Sequence, residues 1–276
     1  MQLPFTKMHG LGNDFIVFDA PSEAAIPSAA QLQALADRRT GVGFDQALAL
    51  TPARRADTAV YYRIFNADGG EVEQCGNGAR AVAALLLRQG RGHNGSVRLD
   101  SAGGIVSARA VQGELIAVEM GEPLFSPEAL PFLATVPAAS YALDVDGESI
   151  RFAVVSMGNP HAIITVPSAA DAPVARLGAS IERHLAFPQR VNVGFMQIDS
   201  PTRIVLRVFE RGVGETLACG TGACAAVAVG RRAGMLAEHV EVIAPGGRLT
   251  ASWEGPGHSI WLTGPAEISF TGSAEI

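Results

Sequence analysis

The sequence predicts an α+β fold of two pseudo-symmetric lobes, each a curled, mostly antiparallel β-sheet around a central apolar helix, with the functional site in the cleft between them. Three observations predict it. First, the chain repeats itself: Arg63 to Ala79 aligns without a gap on Arg207 to Ala223, at an offset of 144 residues, and Arg, Phe, Gly-Glu and Cys-Gly-x-Gly-Ala coincide. Second, the stretches that follow the two repeated cysteines, ARAVAALLL and ACAAVAVG, are apolar nearly all round. A helix of that kind has to be buried on most of its circumference. Third, short segments rich in Val, Ile, Tyr and Phe, separated by Gly-containing turns, surround both stretches.

In order along the chain, residues 15–19 and 59–65 read as strands, and Ser28 caps an amphipathic helix that runs to about Arg39. Cys75 to Arg88 reads as a helix stopped by Gly90. Strands follow at 96–100, 105–110 and 115–120. After the Gly121-Glu-Pro123 break come strands near 149–156, 162–166 and 203–209, a helix near 170–185, and the second cysteine-led helix, Cys219 to Arg232. Strands near 240–243, 248–253 and 259–263 complete that half. The expected division is residues 1–120 and 121–264, with a last strand near 265–276 returning to the first lobe.

Composition narrows the function. At 276 residues and 48% hydrophobic, with 17% charged, the chain can bury a sizeable core and is not a disordered one. No stretch approaches the roughly 18–20 apolar residues of a membrane span. A formal charge of −6 argues against nucleic acid as a partner. The N-terminal stretch lacks the apolar core of a signal peptide, so a cytoplasmic location is expected. Of 21 basic residues only Lys7 is a lysine. A pyridoxal phosphate Schiff base would therefore have to use Lys7. Three cysteines, Cys75, Cys219 and Cys224, with no CxxC spacing, make neither a disulfide framework nor a zinc site.

Cys75 and Cys219 start their helices, each followed by Gly-x-Gly. A helix N-terminus carries about half a positive charge and several unpaired N–H groups. It favours thiolate over thiol and can hold a carboxylate. Two such ends facing one another across a twofold axis suit a two-base racemase, in which one thiolate removes an α-proton and the opposite thiol delivers another. That chemistry needs no cofactor and no metal. Cys224, inside the second helix with Arg80 as its repeat partner, reads as a core residue. Further repeats support the pairing. Asn13 in GLGNDF and Asn159 in GNPHA lie 62 and 60 residues before their cysteines, and Gln46 and Asn192 lie 29 and 27 before them.

The blocks HGLGNDF, GFDQ, FNADGGEVEQCGNGAR, GNPHA, RVNVGF and ERGVGETLACGTGA, in this order and spread over nearly the whole chain, resemble the diaminopimelate epimerase family, which is similar in kind to proline racemases and phenazine-pathway isomerases. The resemblance implies interconversion of LL- and meso-2,6-diaminopimelate, in lysine and cell-wall precursor synthesis, without pyridoxal phosphate or metal. It implies Cys75 and Cys219 as base and acid, with Glu210 and His161 bearing on the α-ammonium and its surroundings. Backbone N–H groups at Gly76, Asn77, Gly220 and Thr221 would hold the reacting carboxylate. Arg211 suits the distal carboxylate, and Asn13, Gln46, Asn66, Asn159 and Asn192 would supply amide contacts to a zwitterion. Glu71 and Glu215 are repeat-matched but more suited to shaping loops. A homodimer is the family expectation, and Phe270 stands where the family commonly has a tyrosine at that contact.

Two other readings stay open on the residues alone. One is a racemase of another amino acid, against which the distal contacts Arg211, Asn66 and Asn192 count. The other is a non-catalytic amino-acid-binding protein in which Cys75 and Cys219 form a redox-responsive pair.

Overall fold

A computed structural model describes residues 2–72, 75–134, 136 and 138–276. The Glu73-Gln74 step of the first cysteine motif lies outside the described residues. Along the chain run β1 (Gln2–Gly10), β2 (Asn13–Asp19), α1 (Ala29–Ala36), β3 (Gln46–Thr51), β4 (Val60–Asn66), β5 (Glu71–Val72), α2 (Gly76–Arg88), β6 (Ser96–Ser101), β7 (Gly104–Ala110) and β8 (Ile116–Glu119). There follow β9 (Tyr141–Val145), β10 (Glu148–Ser156), β11 (Pro160–Thr165), α3 (Val174–Glu182), β12 (Asn192–Ser200), β13 (Arg203–Glu210) and β14 (Gly214–Thr216). The chain ends with α4 (Gly220–Arg232), β15 (His239–Ala244), β16 (Gly247–Ser252), β17 (Trp261–Gly264) and β18 (Glu267–Glu275). The fold is α+β. None of its helices, among the described residues, is long and apolar enough to cross a membrane.

The chain forms two compact units, Met1–Glu119 with Thr263–Ile276, and Met120–Leu262. In the first unit β18 pairs antiparallel with β1, from Gln2 opposite Glu275 to His9 opposite Glu267, and β1 pairs antiparallel with β2. β2 and β3 are parallel, β3 and β4 antiparallel, β4 and β6 parallel, and β6–β7–β8 a meander. The second unit repeats the plan: β10–β11 antiparallel, β11–β12 parallel, β12–β13 antiparallel, β13–β15 parallel and β15–β16 antiparallel. Each repeat thus has a mixed sheet dominated by antiparallel pairs.

One face of each sheet carries the cysteine-led helix. α2 packs on β1, β2, β3, β6, β7 and β8, and every residue from Asn77 to Leu86 is buried. α4 packs on β10 to β13 and β16 and is buried from Gly222 to Gly230, with Cys224 wholly enclosed. Burying a Val or Leu side chain contributes about 1.5–3 kcal/mol, so Val82, Leu85 and Leu86 of α2 and Val227 and Val229 of α4 tie these helices firmly to their sheets. The other face carries a shorter helix. Ile16, Phe18, Ala47 and Ala49 cluster with Leu32 and Leu35 of α1. Strand alternation sends the intervening Leu48 to α2, beside Gly78. In the second unit Leu177 and Ile181 of α3 cover Phe152, Val193 and Phe195.

Two strands absent from the sequence reading, β3 (QALALT) and β12 (NVGFMQIDS), are the parallel partners of β2 and β11. Each lies between two strands and is buried on both faces over its first residues, so the period-2 signal is lost. Ala, Leu and Gln in β3 are helix formers by propensity; the hydrogen-bonding edges of β2 and β4 override it. β1 and β9 were likewise not expected. α1 stops at Ala36 rather than Arg39, because Asp37 Oδ1 accepts the N–H groups of Arg39 (2.8 Å) and Thr40 (2.7 Å). Such local capture competes with the helix ladder. Its start is as expected, with Ser28 and Gln31 forming a capping box. α3 begins only after Pro173 and ends at Glu182, four residues inside one expected end and three inside the other.

The repeated Arg and Glu of the cysteine motifs form matching ion pairs. Arg63 Nε and Nη2 reach Glu71 at 2.7 and 2.6 Å, and Arg207 Nε and Nη2 reach Glu215 at 2.7 and 3.0 Å. Each clamps the hairpin that leads into a cysteine, β4–β5 or β13–β14. Glu71 and Glu215 therefore shape loops.

Close packing of α3 gives a stability test. A Cβ at Gly178 would sit 2.5 Å from both Cβ and Cγ of Phe209 on β13. Gly178→Ala should lower unfolding free energy by about 1–3 kcal/mol through overpacking, measured by urea denaturation.

Candidate active site

Cys75 and Cys219 are the N-cap residues of α2 and α4, one position ahead of the first turn, both with extended backbone. The first intrahelical bonds run from Ala79 N to Cys75 O and from Ala223 N to Cys219 O, each 2.9 Å. The N–H groups of Gly76, Asn77, Gly220 and Thr221 lie ahead of those bonds, where a helix leaves its donors to side chains or ligands. The glycine three residues after each cysteine leaves little room for a side chain. A Cβ on Gly78 would lie 3.4 Å from Cys75 Sγ and 3.2 Å from Leu48, and one on Gly222 3.3 Å from Cys219 Sγ and 2.9 Å from Val208.

In the first unit, Asn13, Gln46, Asn66, Cys75, Gly76 and Asn77 lie on the ends of β2, β3 and β4 and the start of α2. Gly12, at φ 84°, makes the left-handed turn that delivers Asn13. Cys75 Sγ accepts from Gly78 N at 3.2 Å and stands 4.0 Å from Asn13 Oδ1. Asn77 Nδ2 donates to the same Oδ1 at 3.4 Å. Gln46, level with Asn66 in the antiparallel register, donates to Asn66 Oδ1 at 3.0 Å. That leaves Gln46 Oε1 buried with no partner, an acceptor in want of a donor.

In the second unit Gly158, at φ 85°, repeats the turn and delivers Asn159. Asn159 Nδ2 donates to Thr221 Oγ1 at 3.3 Å, and Thr221 Oγ1 stands 3.6 Å from Cys219 Sγ. His161 Nε2 meets Asn159 Oδ1 at 3.0 Å, while its Nδ1 is buried without a partner. Asn192, beside His161 in the parallel register, donates to Pro160 O and accepts from Arg211 N, both at 3.0 Å. The Arg211 side chain is exposed and bonds to Gln189 O at 3.2 Å.

Burial decides the protonation states. His161 is fully enclosed, and desolvation, with the Arg211 charge adding to it, pushes its imidazole down to about 3. It is neutral at physiological pH. Burial also pushes the Cys219 thiol well above its ordinary value, and the neighbouring Glu210 carboxylate pushes the same way, against the Thr221 hydroxyl.

Several supporting residues escaped the sequence reading. Thr216 donates to Glu210 Oε1 at 2.5 Å and fixes that carboxylate. Glu182, buried at the end of α3, accepts from Gly212 N at 2.7 Å and holds the turn that carries Arg211. Lys7 Nζ bonds to Asp14 at 2.5 Å and to Gly43 O, so the single lysine is committed to an internal ion pair. Asp14, drawn down to about 2 by Arg38 and Lys7 against its own burial, also bonds to Asp45 N. Adjacency to a motif is the only sequence signal for Asp45, in GFDQ, and Thr216, in GETLACG. For Glu182 there is none.

The sequence matches one family over most of its length. The diaminopimelate epimerase family model covers residues 5–126 and 153–269. The diaminopimelate epimerases of Alkalilimnicola ehrlichii and Laribacter hongkongensis are each 50% identical to the chain, the first over 100% of both proteins and the second over 99% of both. The chain belongs to the diaminopimelate epimerase family. Solved structures carry the same fold at lower identity. A hydroxyproline epimerase from Agrobacterium vitis matches with a TM-score of 0.70 at 17% identity, over 99% of this chain and 92% of its own. A phenazine biosynthesis protein of the PhzF family from Bacillus anthracis matches at 0.70 and 16%, over 100% of both. As a member of the family, the chain is an isomerase.

The Glu210 effect on Cys219 has a sign that can be measured. A neighbouring carboxylate favours thiol over thiolate, so Glu210→Gln should lower the pH at which Cys219 ionises and raise its thiolate fraction at fixed pH. Alkylation of Cys219 by iodoacetamide at pH 8, followed by peptide mass spectrometry, should run about three to ten times faster than in the wild type.

Proposed function

We propose that the protein epimerises LL-2,6-diaminopimelate to the meso isomer by a two-base 1,1-proton transfer between Cys75 and Cys219. The observation that carries the reading is the repeated N-cap cysteine: two thiols at equivalent positions, each set at helix donors able to hold a carboxylate. One thiolate takes the α-proton and becomes a thiol. The opposite thiol gives its proton to the other face of the carbanion and becomes a thiolate. No proton or electron is left over, so the step itself calls for no cofactor. The next turnover in the same direction requires the two thiols to exchange protons with solvent.

The surrounding groups fit an amino-acid zwitterion. Helix N–H groups at Gly76, Asn77, Gly220 and Thr221 would bind the reacting carboxylate and stabilise charge as the α-carbon loses its proton. The unpartnered Gln46 Oε1 is an acceptor for an ammonium group, and so is Glu210. His161, neutral and enclosed, would act through Asn159 as a polar neighbour and not as a titrating base. Asn13, Asn66, Asn192 and Arg211 would read the rest of a substrate with a second zwitterionic end. The product would serve lysine and peptidoglycan precursor synthesis in the cytoplasm, with the enzyme acting as a homodimer.

Single-cysteine variants test the reading. Cys75→Ala and Cys219→Ala should each cut epimerisation of LL-diaminopimelate by about 10²–10⁴-fold or more, followed by chiral chromatography, while each protein still binds the substrate. Wild-type turnover that survives either substitution would rule out the two-thiol mechanism.

A further inference from the structure

The repeat-equivalent asparagines hold their amides in opposite senses. Asn13 accepts from the residue two past its cysteine, through Asn77 Nδ2 at 3.4 Å, whereas Asn159 donates to the corresponding Thr221 Oγ1 at 3.3 Å. An amide can turn over at little steric cost, so only its partners decide its sense. In the second unit the partner is His161 Nε2. In the first unit position 15 is Phe, and the deciding group is different.

Asn13 Nδ2 donates to Asp45 Oδ2 at 2.9 Å. A carboxylate only accepts, so this bond admits one sense of the amide. At the other end Arg80 Nη2 donates to Asn77 Oδ1 at 2.9 Å, and a guanidinium only donates. Donors therefore run one way, from Arg80 through Asn77 and Asn13 to Asp45, and turning either amide would set two donors face to face. Asp45 is itself held: Arg38 Nη2 donates to its Oδ1 at 2.7 Å and Asp14 N to its Oδ2 at 3.1 Å. Arg38 and Lys7 in turn both bond to Asp14. In the second unit the residue before Asn192, equivalent to Asp45, is the fully buried Val191.

We propose that Asp45 is a positioning residue for Cys75, fixing the Asn13 amide with its carbonyl oxygen toward Sγ so that the thiol has an acceptor for its proton. The consequence is a counterweight. The helix N-terminus and Gly78 N–H favour thiolate at Cys75, while an acceptor at 4.0 Å favours the thiol. A group that must both take and give a proton needs access to both states. The proposal rests on the reading that Cys75 exchanges a proton with substrate, and it assigns work to the chain's single lysine as part of the frame that holds Asp45.

Site-resolved alkylation with iodoacetamide at pH 7 tests it on the whole chain without substrate. Asp45→Ala should speed alkylation of Cys75 about threefold or more and leave the Cys219 rate unchanged. Asp45→Asn removes the same charge but keeps an acceptor oxygen for Asn13, with the exposed Arg38 free to turn to solvent. It should return the Cys75 rate to within about twofold of wild type. A Cys75 rate unchanged in Asp45→Ala overturns the proposal, as do Cys75 and Cys219 rates that rise together, or a failure of Asp45→Asn to rescue. If Asp45→Ala does not fold, Asn13→Leu, which lacks the acceptor itself, should give the same rise, and an unchanged rate there overturns the proposal equally. Epimerisation by the wild type is assayed alongside: its absence would sink the functional reading while the alkylation rates still judge the role of Asp45.

Discussion

Each unit is governed by one constraint: a helix that is apolar on almost every side has to be buried along its length, yet its first N–H donors find no partners within the helix itself. α2 and α4 satisfy this by lying on their sheets, enclosed from Asn77 to Leu86 and from Gly222 to Gly230, with the cysteine at the N-terminal end and arginines at the C-terminal end. The remaining architecture follows. Strands β1–β3 and β6–β8 take up the flanks of α2, β10–β13 and β16 those of α4, and a shorter helix covers the opposite face of each sheet. Glycine three residues after the cysteine lets the helix start close to its own cysteine and to the sheet beneath.

The same constraint sets the chemistry. A thiol at the N-cap of a buried helix feels two opposed influences: the helix end favours its ionised form and enclosure favours its neutral form. At Cys219 enclosure and Glu210 together prevail. The two units answer the problem with different side chains around a common backbone. The first orients its asparagine with a carboxylate, the second with an enclosed neutral imidazole. Backbone plan is thus kept between the halves, while the polar groups around each thiol have diverged.

Much of this was legible in the residues. The offset repeat located both helices, both cysteines and the matched Arg–Glu clamps, because each depends on local sequence. Asn13, Gln46, Asn159 and Asn192 were legible for the same reason, sitting at fixed distances before the cysteines. β3 and β12 were not, since strands enclosed on both faces lose their alternation. Asp45, Thr216, Glu182 and Arg80 were not, because what each of them does is set by the register of chain segments far apart in sequence. Arg211 shows the converse: its backbone N–H bonds to Asn192, but its side chain lies exposed on Gln189 O.

The central claim is that two different thiols handle the two faces of one carbon. Its most direct test is where solvent hydrogen first appears. Incubated with LL-diaminopimelate in heavy water and stopped within the first few per cent of conversion, the enzyme should place deuterium at the inverted α-carbon of the meso product and leave the unreacted LL isomer unlabelled, read by mass spectrometry after chiral separation. Deuterium appearing at equal rates in recovered LL substrate and in meso product would point to a single exchangeable base and contradict the account.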